Sequence, residues 1–465
     1  MVHLAAMAWT SLRSLRDRVS LKLTGGVRRS GEPPLVRGAL PFVGHAREFG
    51  VDLGAHLQAL QREHGDVFTL LVAGQRMTFI LDPHSYPNLL RAQQDLSFTE
   101  ISDEIVPRAF GVSKQVASRV SHDEVDAFYV HLKGAELDLL RASTGERLAL
   151  ALARESGPDW RTQSLYAFVA RVVFTAGMEA LFGEGSADGD ALAAFDRYDR
   201  WFPLIIAGVP LALLPGARAG RDRLVELMDR VGPRASRLIR ERDALFAERI
   251  TRDQRNHLQI GMVWATQANT IPAAFWALAF ILNDAPARAA VLEELGSCGT
   301  TDLRRLVRLQ SCVSEALRLS SGSLTLRQAR RPTTLTLDSG ETIAIRQGDR
   351  VCLYPYVSHH DPELFPEPGR YQWDRFLGEG GARQFFRGGR RVTLALMPYG
   401  GGVSMCPGRF LANDEVMQLI ALVLTRLDIE LLRSELPPLD QRRAGLGVLP
   451  PVGEVPCRIR RIPAS

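Results

Sequence analysis

Lysine is almost absent from this chain. Of the 57 basic residues among its 465, only Lys22, Lys114 and Lys133 are lysines, and the others are arginines. The chain also has 52 acidic residues, so its formal net charge is only +5. No basic run alternates with aromatic side chains, which is the pattern typical of nucleic-acid-binding segments. The arginine excess therefore indicates a genomic bias, and we predict no nucleic-acid partner.

Cysteine is also scarce, and its few occurrences are widely separated. The five cysteines are Cys298, Cys312, Cys352, Cys406 and Cys457. None forms a Cys-x-x-Cys pair or a spacing typical of zinc ligands, which argues against a redox dithiol or a zinc finger. The odd count and the wide separation predict reduced thiols in a cytoplasmic protein.

The sequence has no segment that predicts a membrane-spanning helix, and it has no low-complexity linker or internal repeat. Residues 1–30 combine leucines with basic residues in an amphipathic pattern that is too charged to span a bilayer. No apolar core followed by a cleavage site indicates a signal peptide. We predict a basic amphipathic segment over 1–30 with at most peripheral membrane contact, followed by a single domain over 31–465.

A glycine-rich stretch around one cysteine is the most informative part of the chain. Residues 400–402 are three consecutive glycines, Cys406 follows, and Pro407 and Gly408 precede an apolar run with helical spacing. Glycines allow sharp turns and close approach to a flat ligand, and proline suits the first position of a helix. A helix N-terminus stabilises a thiolate, as an axial ligand of haem iron requires. A lone cysteine is more often a small buried residue, but these glycines favour a ligand role.

The pattern Tyr399-x-x-Gly402-x-x-x-Cys406-x-Gly408 resembles the haem-binding loop of cytochromes P-450, with Tyr399 where that family usually has phenylalanine. The resemblance implies the mainly α cytochrome P-450 fold with a small β-region, and haem b (iron protoporphyrin IX) as the cofactor. It implies that Cys406 is the axial ligand of the haem iron. The loop residues that it assigns to the haem site are Tyr399, Gly400, Ser404, Cys406 and Gly408. Most members have arginine or histidine where Ser404 stands, so this position contributes no charge here.

A long apolar helix candidate at residues 257–283 contains two exceptions to its pattern, Asn269 and Pro272. Proline has no N–H, so the carbonyl of Ala268 loses its helical partner and a kink is expected. The sequence before the proline resembles the oxygen-binding helix of the branch that contains prostacyclin synthase and the 7-alpha and 12-alpha sterol hydroxylases. We interpret the chain as a bacterial-looking member resembling that branch, with Ala268 and Asn269 in place of the family's acid and threonine. The resemblance implies that Ala268, Asn269 and Thr270 line the oxygen side, whereas the structural alternative is an asparagine paired with the freed carbonyl.

Other residues match the family in order along the chain. Glu315 and Arg318 lie one helical turn apart, and an exposed pair at that spacing would contribute only a few tenths of a kcal/mol. The resemblance implies instead a buried network of Glu315, Arg318 and Arg375 that supports the cysteine loop structurally. It also implies that Arg327 pairs with a haem propionate, while the sequence indicates no second propionate partner.

Two apolar segments are candidates for contact with a substrate. Residues 201–215 are interrupted by prolines, and they form either a buried loop or a lid over a pocket for a lipid-like substrate. Residues 445–451 form either an ordinary turn between strands or, by the resemblance, a substrate-facing C-terminal loop. The resemblance favours the lid, because this position corresponds to the access region of the family, and both interpretations of 445–451 stay open.

The resemblance implies a haem-thiolate monooxygenase that inserts one oxygen atom of O₂ into an apolar steroid or fatty-acid-derived substrate. The chain has no flavin or nicotinamide fingerprint, so electrons would come from a separate ferredoxin or flavoprotein. A basic surface on this chain would favour association with such a partner if the partner is acidic. The alternative is a haem-thiolate isomerase or dehydratase of a lipid peroxide, which needs no electron donor and suits Asn269. A haem-binding protein without turnover is a third hypothesis. We predict a monomer.

Overall fold

The computed structural model describes residues 27–38, 40, 43–119, 122–299, 302–378 and 381–463. Most of the predicted amphipathic segment over 1–30 lies outside these residues. Within them the protein is mainly helical with small sheets, which agrees with the predicted fold class. The helices are α1 (Leu53–His64), α2 (Tyr86–Arg91), α3 (Thr99–Phe110), α4 (Lys114–Ala117), α5 (His122–Ala127), α6 (Gly134–Glu155), α7 (Leu165–Phe182), α8 (Ala191–Asp199), α9 (Phe202–Ile206), α10 (Ala217–Met228), α11 (Arg237–Ala247), α12 (Arg252–Gln267), α13 (Thr270–Asn283), α14 (Ala285–Cys298), α15 (Val307–Ser320), α16 (Pro355–His359) and α17 (Arg409–Arg426).

The strands form one larger sheet and several small ones. They are β1 (Leu35–Val36), β2 (Val67–Val72), β3 (Gln75–Ile80), β4 (Leu96–Ser97), β5 (Arg161–Ser164), β6 (Thr325–Ala329), β7 (Thr333–Thr336), β8 (Thr342–Ile345), β9 (Arg350–Leu353), β10 (Leu377–Gly378), β11 (Gly381–Ala382), β12 (Phe385–Arg387), β13 (Arg390–Val392), β14 (Leu427–Leu431) and β15 (Pro456–Arg461). The larger sheet has the order β1-β2-β3-β9-β6-β4, and a second sheet has the order β14-β15-β5. The predicted hairpins appear as the pairs β2–β3 and β7–β8.

The core is built around helices whose apolar residues occur on every side. In α7 and α13 nearly all residues are buried, as expected for helices that lack a polar face. Leu165–Phe182 and Arg252–Asn283 are each long and apolar enough to cross a membrane by length and composition. Most of each apolar window, 78% and 72%, is buried inside the protein, which is how core helices of a globular fold behave.

The predicted long helix at 257–283 is interrupted. It begins earlier, at Arg252, because Thr251 and Gln254 form a reciprocal capping box. It then divides at residues 268–269 into α12 and α13. Pro272 has no N–H to donate to the carbonyl of Ala268, which is the physical reason for the predicted kink. The structure therefore has an interruption next to the carbonyl that Pro272 leaves without its helical partner, and it corrects the single continuous helix to two.

Three other segments differ from their predicted form. The helix expected over 121–141 consists of α5, a short 3-10 turn and the start of α6. The helix expected over 220–249 is divided into α10 and α11, because Gly232 and Pro233 interrupt the pattern. The proline-interrupted stretch 201–215 contains the short helix α9, whose Phe202 and Ile205 are buried, followed by a 3-10 turn.

Candidate active site

One cavity brings together most of the residues selected from the sequence. It encloses about 410 Å³ between the loop that carries Cys406 and the break between α12 and α13. The predicted residues that line it are Asn269, Thr270, Arg327, Tyr399, Gly400, Ser404, Cys406 and Gly408. Residues 445–448 also line it, so this segment faces the cavity and is more than an ordinary turn. Much of the remaining wall is aliphatic, including Leu132, Met262 and Ala273.

Ala268 is the exception among the predicted residues. It caps the C-terminus of α12 and is 5% exposed, packed in the main hydrophobic core rather than in the cavity wall. The break places Asn269 and Thr270 at the cavity while the side chain before them stays in the core. The structure thus does not place Ala268 among the residues that line the cavity, and its role on the oxygen side stays a prediction.

The backbone of the Cys406 loop turns sharply before α17. The N–H of Cys406 donates to the carbonyl of Tyr399 over 3.0 Å, and α17 begins at Arg409. The apolar pattern after the cysteine predicted a helix over 409–426, and the structure confirms it, although Pro407 lies before the first helical position and not at it. A Cβ at Gly401 would lie 2.6 Å from Cδ1 of Leu90 in α2, so a side chain at this position would require the Leu90 side chain to move.

The charge state of Cys406 depends on opposing effects. Burial raises the pKa of the thiol, while the N–H of Gly408 and the charge of Arg409 lower it. Burial is the largest of these effects, so the groups at the helix start lower the pKa of Cys406 in the expected direction without offsetting burial. A metal cation bonded to the sulfur would reverse the balance, because a coordinating thiol is deprotonated.

Arg327 is a buried cation in the cavity wall. It lies in β6 and is 8% exposed, and burial lowers its pKa. Its guanidinium donates to the carbonyls of Leu326 over 2.7 Å and Gly401 over 3.2 Å. Among the described residues no carboxylate pairs with it. A buried cation is stabilised by an anion, so this position suits a carboxylate group of a ligand.

Asn269 is held by a distant part of the chain. Its Oδ1 accepts a hydrogen bond from the backbone N–H of Val448 over 2.8 Å. The alternative considered from the sequence, an asparagine paired with the carbonyl of Ala268, is wrong. The partner lies 179 residues away in the chain, so no local pattern could identify it.

The predicted supporting network is present and buried. Arg318 donates to both carboxylate oxygens of Glu315, over 2.7 and 2.8 Å, and Arg375 donates to one of them over 2.8 Å. None of the three side chains is more than 2% exposed. Arg318 also donates to the carbonyl of His359, and the ring of His359 accepts from the N–H of Met397 over 3.0 Å. The network thus reaches the start of the Cys406 loop.

One cavity residue was missed by the sequence analysis. Glu415 in α17 is 6% exposed, and burial raises the pKa of its carboxyl to about 8. A Cβ at Gly177 would lie 2.6 Å from Nε2 of Gln267 and 3.3 Å from Oε1 of Glu415, so these two side chains approach the same point. Glu415 lies between Leu411 and Leu419 at four-residue spacing, and a carboxylate on that apolar stripe was the available signal.

We expect Glu415→Gln to change the pH dependence of stability. The native carboxyl holds its proton up to about pH 8, whereas the unfolded one releases it near its ordinary value of 4.5. The folded state binds more protons between these values, so stability falls as pH rises, by roughly 1 kcal/mol per pH unit. Urea titrations at several pH values should show this slope for the wild type and a flatter one for Glu415→Gln.

The exposed Glu435 offers a matched control. Glu435→Gln makes the same chemical change without altering a buried carboxyl, so its slope should follow the wild type. Parallel slopes for Glu415→Gln and the wild type would contradict a protonated Glu415.

A family model described as cytochrome P450 matches residues 235–457, which include α13, the buried network and the Cys406 loop. The chain is 34% identical to cytochrome P450 7A1 of Sus scrofa, over 93% of this chain and 94% of the relative. The chain belongs to the cytochrome P450 family. Cholesterol 7-alpha-monooxygenase of Cricetulus griseus is 34% identical over 92% of this P450 and 93% of its own length. The 7-alpha-hydroxycholest-4-en-3-one 12-alpha-hydroxylase of Homo sapiens is 33% identical over 94% and 95%.

Family membership confirms the predicted fold class, the P450 monooxygenase activity and the haem cofactor. P450 enzymes bind haem iron through a cysteine thiolate, and they use separate redox partners and apolar substrates. The relatives also support the resemblance to the branch of sterol hydroxylases. They come from mammals, so they do not support the prediction of a bacterial-looking member.

The residues of the cavity fit a haem. Cys406 is the one cysteine among the described residues that line it. Arg327 supplies a buried cation that no described carboxylate neutralises, as a propionate group would require. A Cβ at Gly408 would meet no atom within 4 Å, so the backbone beside the cysteine is open to a flat ligand. Aliphatic walls match the apolar faces of a macrocycle.

Proposed function

We propose that this P450 hydroxylates a sterol or a similarly extended apolar lipid. The observation that carries the proposal is the cavity itself, in which one cysteine lies on a glycine loop beneath largely aliphatic walls and a broken helix. Support for the substrate class comes from relatives named as a cholesterol 7-alpha-monooxygenase and a 12-alpha-hydroxylase, aligned over nearly the whole chain. The apolar segment at 201–215 is consistent with a lid for such a substrate.

We propose a role in holding the haem for several residues of the loop and for Arg327 in β6. Cys406 would bind the haem iron through its thiolate, and Arg327 would pair with a propionate. The other residues proposed to contact the haem are Tyr399, Gly400, Ser404 and Gly408. When bound, the haem supplies the oxygen-activating chemistry. Glu315, Arg318 and Arg375 act structurally by holding the segment that leads into the loop.

The side chains at the break between α12 and α13 would limit how protons can reach oxygen. Asn269 can donate and accept hydrogen bonds but cannot titrate, and Thr270 offers only a hydroxyl group. Ala268 provides no acid and lies in the core. We propose that protons reach the oxygen side through water and not from a carboxylate at 268 or 269.

Electrons are proposed to come from a ferredoxin with its reductase or from a flavoprotein reductase. The formal charge of +5, carried mostly by arginines, would favour association with an acidic partner. The protein is proposed to be a monomer of the cytoplasm, with peripheral membrane contact at most.

The decisive experiment separates oxygenation from peroxide isomerisation. Purified enzyme is given a sterol with O₂ and a reducing system in one reaction, and a lipid hydroperoxide without reductant in another. We expect hydroxylated sterol in proportion to the reductant consumed, and no stoichiometric product from the hydroperoxide alone. The isomerase alternative, which suits Ala268 and Asn269 in place of the family's acid and threonine, predicts the reverse. Turnover of peroxide without reductant would overturn the proposal.

A further inference from the structure

The C-terminal loop, defined as residues 445–449, is attached to the body of the protein on one side by its backbone. The N–H of Gly445 donates to the carbonyl of Gly322 over 2.7 Å. The N–H of Leu449 donates to the carbonyl of Ser320 over 2.9 Å. The segment that follows α15 therefore holds one edge of the loop, while residues 445–448 line the cavity.

Asn269 attaches the same loop to the broken helix. Its Oδ1 accepts from the N–H of Val448 over 2.8 Å, at the point where α12 ends and α13 begins. A second bond runs from the indole N–H of Trp276, farther along α13, to the carbonyl of Leu449 over 2.7 Å. The bond from Val448 to Asn269 joins two residues that line the cavity, whereas Trp276 and Leu449 are not among the lining residues.

Gly447 makes this contact possible. Its φ is +134°, a conformation that side chains rarely allow. A Cβ at this position would lie 1.9 Å from Oδ1 and 2.8 Å from Nδ2 of Asn269. Any side chain at 447 would therefore displace either the loop or the amide, which identifies the glycine and the asparagine as one fitted pair.

The hydrogen bond also determines which way the amide faces. Val448 presents a donor, so the amide oxygen must turn toward it. The amide nitrogen has no hydrogen-bond partner among the described residues. Asn269 therefore offers N–H donors, and no free carbonyl oxygen, to whatever occupies the remaining space around it.

We propose that Asn269 is a positioning residue that sets substrate selectivity by locking the C-terminal loop against the broken helix. With the lock closed, Leu446 and Val448 form a wall of fixed shape beside the oxygen side of the cavity. A rigid apolar wall discriminates between sterols by the shape of the part that contacts it, and a mobile wall does so less. This role rests on the proposed function, since it concerns the same cavity and the same substrate class.

Amide hydrogen exchange tests the lock without reference to turnover. In the haem-loaded, full-length protein, Asn269→Ala should raise the exchange rate of the peptide containing Val448 by at least about fivefold, because one hydrogen bond is lost. Asn269→Asp keeps an oxygen at the same reach and should stay near the wild-type rate. The hydrogen bonds from Gly445, Leu449 and Trp276, and the bond from the N–H of Gly322 to the carbonyl of Gly447, remain, so the fold is expected to persist in both variants.

Spectral titration tests selectivity. The dissociation constants of two sterols that differ only in side-chain length are measured for the wild type, Asn269→Ala, Asn269→Asp, Gly447→Ala and Gly453→Ala. The ratio of the two constants should fall toward unity, by at least about fivefold, in Asn269→Ala and Gly447→Ala. Gly453 has a φ of +109° with no atom near its Cβ position, so Gly453→Ala introduces similar backbone strain without touching the helix. This control should keep the wild-type ratio, whereas Asn269→Asp also removes the amide N–H donors and measures their contribution to the ratio.

The outcomes separate the two proposals. Unchanged exchange at Val448 in Asn269→Ala would overturn the lock. Faster exchange with an unchanged sterol ratio would overturn the role in selectivity. A wild-type protein whose haem spectrum responds to no sterol would overturn the proposed function and this selectivity role together, while the exchange comparison would still decide whether the lock exists.

Discussion

Replacing Cys406 by serine is expected to abolish the absorption band that the reduced, carbon-monoxide-bound protein owes to thiolate ligation. A serine hydroxyl is a poor ligand for haem iron and remains protonated near neutral pH, so no anionic sulfur would donate electron density to the metal. The band should disappear completely, and haem content should fall. Hydroxylation supported by reductant and O₂ should be lost with it. The measurement is a reduced-carbon-monoxide difference spectrum at equal protein concentration.

Cys298→Ser provides the matched control. Cys298 lies at the end of α14, is partly exposed, and does not line the cavity. The same sulfur-to-oxygen exchange at that position should leave the band and the haem content at wild-type levels. A Cys406→Ser protein that retained the band would refute the assignment of the axial ligand.

Replacing Glu315 by glutamine is expected to destabilise the protein severely. Its carboxylate accepts from both Arg318 and Arg375, and all three side chains are almost completely buried. Glutamine leaves two buried guanidinium groups without a counter-charge, and breaking a buried pair in this way costs about 3–5 kcal/mol. Because Arg318 is linked through His359 to Met397, haem retention should weaken along with the fold. Chemical unfolding of the haem-loaded protein and the haem content after gel filtration would measure the two effects.

A surface pair provides the comparison for this variant. Glu226 bonds Arg223 over 3.1 Å, but its side chain is 66% exposed. Exposed pairs contribute about 0–1 kcal/mol, so Glu226→Gln should be close to the wild type in both measurements. If Glu315→Gln were no less stable than Glu226→Gln, the buried network would have no structural role.

Local chemistry explains which parts of the site could be predicted. The glycines before Cys406 restrict the backbone within a few residues, so their pattern indicated a turn, a close approach and a following helix. The helix itself was predicted over 409–426, where the structure has it, but Pro407 lies just before it because a proline suits a first helical turn without determining where the turn begins. Pro272 likewise predicted a kink from its own missing N–H.

Other features could not be predicted because they depend on segments far apart in the chain. The side-chain oxygen of Asn269 accepts a hydrogen bond from the N–H of Val448. These two residues meet only because the C-terminal loop packs against the broken helix. Ala268 lies in the core although it precedes a cavity residue, because the break determines which side chains face inward. Glu415 is an intermediate case. Its position on an apolar stripe can be recognised in the sequence, but the burial that raises its pKa depends on the tertiary structure.

The amino-acid sequence by itself determined the glycine turn before Cys406, the kink at Pro272 and the apolar patterns of the helices, because each follows from the conformational limits of neighbouring residues. Only the tertiary structure decided which charges lose their water and which polar atoms meet. Burial depends on how the helices pack, and it raises the pKa of Cys406 and of Glu415. The same packing buries Arg327 at a place where no carboxylate of the described residues pairs with it. These long-range effects convert a recognisable loop into a site that can hold a haem.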